Sequence, residues 1–227
     1  MRSMFDRIAH RYDLLNRLLS AGTDQRWRRA AVDELGLGPQ ARVLDLCTGT
    51  ADLLIEALGR HAGRTGAGID LSTRMLERGA RKLAQAGMAS RAFLAAGDAE
   101  RIPLASDRFD GALIAFGIRN VGDPLAALVE IRRVLRTRGR LVVLEFSLPE
   151  GLLGPLYRFY FERVLPRIGA MVSGDPSAYS YLPASVGRFP APRDFGALME
   201  RAGFRRVTWR PLTGGIAHLH RGEAEKA

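Results

Sequence analysis

The 227-residue chain has one cysteine, Cys47, and only two lysines, Lys82 and Lys226. A single thiol excludes an intrachain disulfide framework and agrees with a reducing compartment. With lysine so scarce, almost all of the positive charge is arginine, spread along the chain without a long block. The net charge of +10 suits an anionic partner such as nucleic acid or a lipid surface, but a total without clustering defines no binding stripe. Long apolar runs are also missing: Leu141 to Leu144 falls far short of the ~20 residues that a membrane-spanning helix needs. The opening Met1-Arg-Ser-Met-Phe-Asp-Arg7 has no apolar signal core, so a cytoplasmic protein is expected. His218 and His220 alternate with apolar residues and have no other ligands at metal-binding spacing, so no metal is expected. Internal repeats and low-complexity tracts are absent.

What is present is an alternation of short apolar runs and helical periods. Phe5, Ile8, Tyr12, Leu15 and Leu19 recur at helical spacing, as do Trp27, Ala30, Ala31 and Leu35, before a break at Gly36 to Pro39. Strand candidates at 42–46 and 66–69 precede helical patterns at 52–58 and 73–86. Further candidates lie at 93–96, at 109–116 before a helix at 124–135, and at 141–146. Asp123 and Pro124 read as a helix cap and first-turn residue. A helix at about 193–202 and strand candidates at 205–210 and 215–220 close the chain, with Thr213-Gly214-Gly215 between the two strands. This order predicts an α/β fold: a doubly wound, mostly parallel, seven-stranded sheet ending in an antiparallel hairpin. The chain divides as one domain: N-terminal helices at 1–38, a ligand-binding core at 39–150, a lid at 151–190, and a final helix and hairpin at 191–227.

Open parallel sheets bind ligands at the carboxyl ends of their strands. Val43-Leu-Asp-Leu-Cys-Thr-Gly-Thr-Ala-Asp52 reads as a strand entering such a loop, with Gly49 free to adopt unusual backbone angles. Asp45 at the strand end would repel a dinucleotide's diphosphate but suits the ammonium and sulfonium charges of S-adenosylmethionine. Asp70 closes the next strand where a ribose-binding carboxylate belongs, although it also fits a helix cap. Asp98, in Ala96-Gly-Asp-Ala-Glu100, can address an adenine edge.

With these motifs in order, the sequence resembles the class I methyltransferases, and within them the C-methyltransferases of ubiquinone and menaquinone biosynthesis. Met4 to Asn16 is similar to that family's N-terminal signature, Val43 to Leu53 to its cofactor loop, and Gly97 to Pro103 to its adenine segment. Phe116-Gly-Ile-Arg-Asn-Val121 is the most specific match, and 145–147, 164–169 and 212–220 extend the similarity almost to the C-terminus. Thr48 and Ala51 stand where the family carries glycines, and Ala115 where it carries serine.

The resemblance implies a Rossmann-like fold with a helical cap, and S-adenosylmethionine contacts from Thr50, Asp70, Asp98 and the Ala99 backbone. It also implies a polyprenylated quinol substrate methylated on a ring carbon, with demethylmenaquinol preferred over a ubiquinone-pathway benzoquinol. Arg119 is then expected to stabilise the developing phenolate and, with Asn120, to orient a water that carries the proton. Tyr12, Asp13 and His10 are candidates to complete the pocket, whereas Glu145 either lines it or pairs with an arginine. Cys47 reads as a space-filler. The apolar, arginine-studded stretch 152–181 suits a lid for an isoprenoid tail with peripheral contact to an anionic membrane surface. A homodimer is compatible with the sequence, and nucleic acid is not an expected partner. The competing readings are a methyltransferase acting on RNA, DNA or protein, a non-catalytic cofactor-binding protein, and a nicotinamide oxidoreductase.

Overall fold

The structure is a computed structural model that describes residues 22–149 and 185–226. The candidates His10, Tyr12 and Asp13 and almost all of the lid lie outside these residues. In chain order the elements are α1 (Asp24–Leu35), β1 (Arg42–Leu46), α2 (Asp52–Gly59), β2 (Thr65–Asp70), α3 (Thr73–Gln85) and β3 (Ala92–Ala96). They continue as β4 (Phe109–Ala115), α4 (Pro124–Val134), β5 (Leu135–Phe146), α5 (Pro192–Arg201), β6 (Phe204–Leu212) and β7 (Ala217–Ala224).

The strands form one seven-stranded sheet in the order β3-β2-β1-β4-β5-β7-β6. β1 to β5 are mutually parallel, and β7 runs antiparallel between β5 and β6. This is the expected mixed sheet. The order reverses between β1 and β4, which opens a crevice at their carboxyl ends. Leu113, Ile114, Val142, Val143 and Leu144 have no exposed surface, because helices cover both faces of the central strands. That burial is why they read as continuous apolar runs and not as alternation. One face packs on α4 and α5, with Ile131, Phe195 and Met199 in its core. The other packs on α1 and α2 through Trp27, Val32, Leu35 and Leu53. Among the described residues, no helix is long and apolar enough to cross a membrane.

The caps follow the sequence closely at α4, where Asp123 accepts from the Leu125 and Ala126 amides at 2.9 and 3.1 Å with Pro124 behind it. β5 differs, starting at Leu135 and not at Leu141. Its first half, Arg136-Thr-Arg-Gly-Arg140, is polar and contains Arg138 at φ 65°, which hides the strand in a hydropathy pattern. Arg140 uses that position to donate to the carbonyls of Leu35 and Gly36 at 3.1 and 2.8 Å, closing the C-terminal end of α1.

No helix links β3 to β4. The chain at 97–108 crosses as a loop held by α4: Ile102 N–H donates to Glu130 Oε2 at 2.9 Å, and Arg133 donates to the carbonyls of Leu104 and Ile102 at 2.9 and 3.0 Å. Those bonds fix the position of Asp98. On edge strand β3, Phe93 is 57% exposed.

Candidate active site

The reversal point holds an open cleft whose walls come from the loops after β1, β2, β3 and β4. The β1 loop departs from ordinary backbone at Cys47, Gly49 and Ala51, with φ of 53°, 54° and 64°. Glycine takes such angles without penalty, whereas Cys47 and Ala51 store roughly 1–2 kcal/mol each. The loop is held in this shape by Thr48 N–H donating to the Ile69 carbonyl at 3.1 Å and Ala51 N–H to the Thr48 carbonyl at 2.9 Å. Ala51 therefore occupies a left-handed position suited to glycine, with its methyl packed in the core toward α3.

Asp70 ties the first two loops together. Its Oδ2 accepts from the Gly49 amide and its Oδ1 from the Ser72 amide, both at 2.8 Å. The cap of α3 is Ser72, whose Oγ accepts from Met75 N–H at 3.2 Å, so Asp70 is not the helix cap. A carboxylate anchored at this strand end presents acceptor oxygens of the kind that bind a vicinal diol. Asp98 is fixed by its Oδ1 accepting Glu100 N–H at 3.0 Å, and Ala99 beside it is buried while lining the cleft. Leu71, 46% exposed, and Met75 supply apolar wall beside these acids. A nucleoside, with ribose hydroxyls and a flat base carrying an exocyclic amine, fits that combination.

Asp45 does not reach the cleft as expected. It lies on the face of β1 turned toward the helices, 1% exposed, and accepts from Thr48 Oγ1 at 2.5 Å. Burial raises its pKa from 3.8 to about 7, against the lowering effect of the Thr48 bond. Its task is to support the loop. Asp45 favours its protonated form in the folded protein, so its contribution to stability falls as pH rises from about 3.8 to about 7. Asp45→Asn is expected to flatten that part of the stability curve, measured by denaturant unfolding across the window; an unchanged slope would refute the assignment.

Thr50 also lies off the cleft. It is 2% exposed, and its Oγ1 accepts from Lys82 Nζ at 3.1 Å, while Lys82 pairs with Asp52. The direct cofactor contact expected of Thr50 gives way to a tie between the loop and α3. Gly49, Asp70, Asp98 and Ala99 do line the cleft. Cys47 lines it too, and burial with nearby Asp70 and Asp45 pushes its thiol up, so it is protonated and not a nucleophile.

The loop after β4 divides its two expected functional residues. Residues 118–120 form one 3-10 turn, in which neighbouring side chains point about a third of a turn apart. Asn120 faces the cleft. Arg119 is turned behind Phe116, donating to Glu145 Oε1 at 2.5 Å and to the Phe116 carbonyl at 2.7 Å, with its guanidinium 5.5 Å from the Phe146 ring centroid. The expectation that both would face the pocket is corrected: buried Glu145 captures the arginine. Phe116 itself, at φ 57°, lines the cleft and stacks on Phe146 at 4.4 Å. Trp27 packs against both rings and donates to Thr213 Oγ1 at 2.9 Å, joining α1 and the β6–β7 turn to this wall.

Ser72, Met75, Phe116 and Gly117 were not singled out from sequence as lining residues, although Phe116 and Gly117 lay inside the most specific motif. A Cβ on Gly117 would stand 2.3 Å from the Cys47 Cβ. Gly117→Ala is therefore expected to cost about 1–3 kcal/mol through overpacking and to weaken ligand binding by pushing the β1 loop into the cleft. Thermal unfolding with calorimetric titration checks both; wild-type values in each would refute the contact.

Residues 1–224 match the profile of the ubiE/COQ5 methyltransferase family. A ubiquinone/menaquinone biosynthesis C-methyltransferase of Syntrophotalea carbinolica is 51% identical over 97% of this chain and 92% of its own length. A demethylmenaquinone methyltransferase of Thermus thermophilus is 49% identical over 97% and 99%. Among solved structures, S-adenosylmethionine-dependent methyltransferases from Thermotoga maritima and Aquifex aeolicus share the fold, with TM-scores of 0.67 and 0.63. Their sequence identities are 22% and 20%, and the alignments cover 99% and 87% of this chain and 100% and 89% of theirs. The cleft, the loop strain and these similarities agree, and the chain belongs to the ubiE/COQ5 methyltransferase family of S-adenosylmethionine-dependent enzymes.

Proposed function

We propose that the enzyme methylates a ring carbon of a polyprenylated quinol, converting demethylmenaquinol to menaquinol. The observation that carries this reading is the cleft itself, where two strand-end acids, Asp70 and Asp98, meet an aromatic wall at Phe116. The names carried by relatives with about half their residues identical support the substrate class. Because some of those names include ubiquinone, a benzoquinol is the second substrate to test.

S-adenosylmethionine supplies an electrophilic methyl group on a sulfonium. In this reading Asp70 accepts the ribose hydroxyls, Asp98 accepts the adenine amine, and the Ala99 N–H donates to the ring. Gly49 lets the ligand lie close to the backbone. Phe116 stacks against the quinol ring, and Asn120 orients its hydroxyl. Arg119, paired with Glu145 behind Phe116, holds the aromatic wall in place, and Tyr12, outside the described residues, is the remaining catalytic candidate. Holding the reactants near attack distance supplies much of the acceleration. The greasy tail calls for a cytoplasmic enzyme working against the inner face of the cell membrane.

The test is incubation with methyl-labelled S-adenosylmethionine and reduced demethylated naphthoquinol, benzoquinol or RNA. Label in the organic phase with the naphthoquinol is the expected result. Label in RNA alone overturns the quinol reading, and retention on anionic vesicles tests the membrane contact.

A further inference from the structure

Glu145, the residue before the end of β5, has no exposed surface, and among the described residues only one of its oxygens is engaged. Oε1 accepts from Arg119 at 2.5 Å and from the Phe146 amide at 2.9 Å. Among the described residues, Oε2 is buried and has no hydrogen-bond partner, and the same holds for Arg119 Nε. A buried carboxylate oxygen left unsatisfied is costly, and such exceptions call for an explanation. The pair lies behind the cleft wall and is joined to it through Phe116. Phe116 lines it, and the Phe116 carbonyl accepts both Arg119 Nη1 at 2.7 Å and, weakly, the Nδ2 of cleft-lining Asn120 at 3.4 Å. Phe116 is thus the residue that connects the cleft to the ion pair.

Charge conservation supplies the second strand of the argument. Methylating a neutral ring C–H consumes the donor's sulfonium charge and releases one proton. In a poorly solvated site, charge created or destroyed is expensive. An acceptor that begins as an anion and ends neutral keeps the total unchanged. Arginine cannot act as that acceptor, because its guanidinium stays protonated.

Resting on the quinol reading above, we infer that Glu145 receives the proton that the ring loses, with Arg119 as the residue that positions it. A carbon–carbon bond forms to the transferred methyl while the methyl–sulfur bond breaks, its electron pair staying on sulfur. The ring C–H bond then breaks, its pair returns to the ring, and the proton passes to Glu145 Oε2 and afterwards to solvent. Burial raises the Glu145 pKa despite the lowering effect of Arg119. Turnover should therefore show an acid limb above the ordinary carboxylate range. The other titratable groups at hand are Cys47, which senses Glu145, and His218, its cross-strand partner on β7, whose Nδ1 lies 2.6 Å from Ser147 Oγ.

The test compares wild type, Glu145→Gln, Glu145→Asp and His218→Asn with demethylated naphthoquinol carrying hydrogen or deuterium at the reacting carbon. Glu145→Gln is expected to bind S-adenosylmethionine with unchanged affinity by calorimetry, to lose about 10²-fold or more in turnover, and to lose the acid limb. Its primary isotope effect should exceed that of wild type, a change that a purely structural role does not produce. Without cofactor, wild-type stability should fall relative to Glu145→Gln as pH rises through the raised Glu145 value. If Glu145→Gln does not fold, Glu145→Asp decides: a larger isotope effect supports the inference, and an unchanged one overturns it. Wild-type turnover in Glu145→Gln, or an acid limb that vanishes in His218→Asn, also overturns it. Failure of the wild type on any quinol overturns both readings, whereas quinol turnover with an unaffected Glu145→Gln overturns only this one.

Discussion

Arg119→Ala is expected to lower the free energy of unfolding by about 3–5 kcal/mol at neutral pH, the cost of leaving one member of a buried pair alone. The side chains of Arg119 and Glu145 are 8% and 0% exposed, so water cannot replace the lost partner. The Phe116 carbonyl loses the shorter of its two hydrogen bonds as well, which loosens the aromatic wall. The penalty should shrink in acid, where Glu145 takes a proton and no longer needs a counter-charge. Denaturant unfolding at several pH values measures this, and a loss below about 1 kcal/mol at neutral pH would contradict a structural ion pair. Replacing the pair together, Arg119→Met with Glu145→Leu, is expected to recover most of the stability, because apolar residues of similar volume satisfy such a site. The double variant should stay inactive. Recovery of stability without activity separates the pair's structural role from its chemical one.

Asp70→Ala is expected to weaken S-adenosylmethionine binding by about 100-fold or more. The carboxylate fixes the Gly49 and Ser72 amides at 2.8 Å each, and the proposed ribose contacts fall on the same two oxygens. Hydrogen bonds to a charged group are worth about 1.5–3 kcal/mol each, and every 1.4 kcal/mol is tenfold in affinity. Asp70→Asn should fare little better, because an amide nitrogen turned toward either backbone N–H opposes donor to donor. Calorimetric titration gives the affinities, and binding within about threefold of wild type would remove Asp70 from the site. Thermal stability should change much less than affinity, since Asp70 sits at the rim of the cleft and not in the packed core.

The sheet was legible because its central strands are buried on both faces and its helices carry clear periods. Thr65–Asp70 was found within a residue or so from its apolar run, and α4 from the Asp123-Pro124 start. The first half of β5 was hidden, since Arg136 to Arg140 is polar and its pairing with β4 is irregular. At the site, Asp70, Asp98 and Gly49 could be placed from position alone, as strand ends at the reversal point must face the cleft. Asp45 and Thr50 could not. Asp45 lies within β1 and is buried there, and Thr50, beyond the left-handed turn at Cys47, is tied to Lys82.

The sequence by itself determined the fold class, the methyl donor and the family, because these depend on periodicity and on motifs that are contiguous along the chain. Only the tertiary structure decided which residues of those motifs touch the cleft. Arg119 and Asn120 are neighbours in the chain, yet one lines the pocket and the other is buried against Glu145, a residue 26 positions away. Charge pairing across strands is not encoded in local spacing. The desolvation that drives it appears only once β4 and β5 lie side by side.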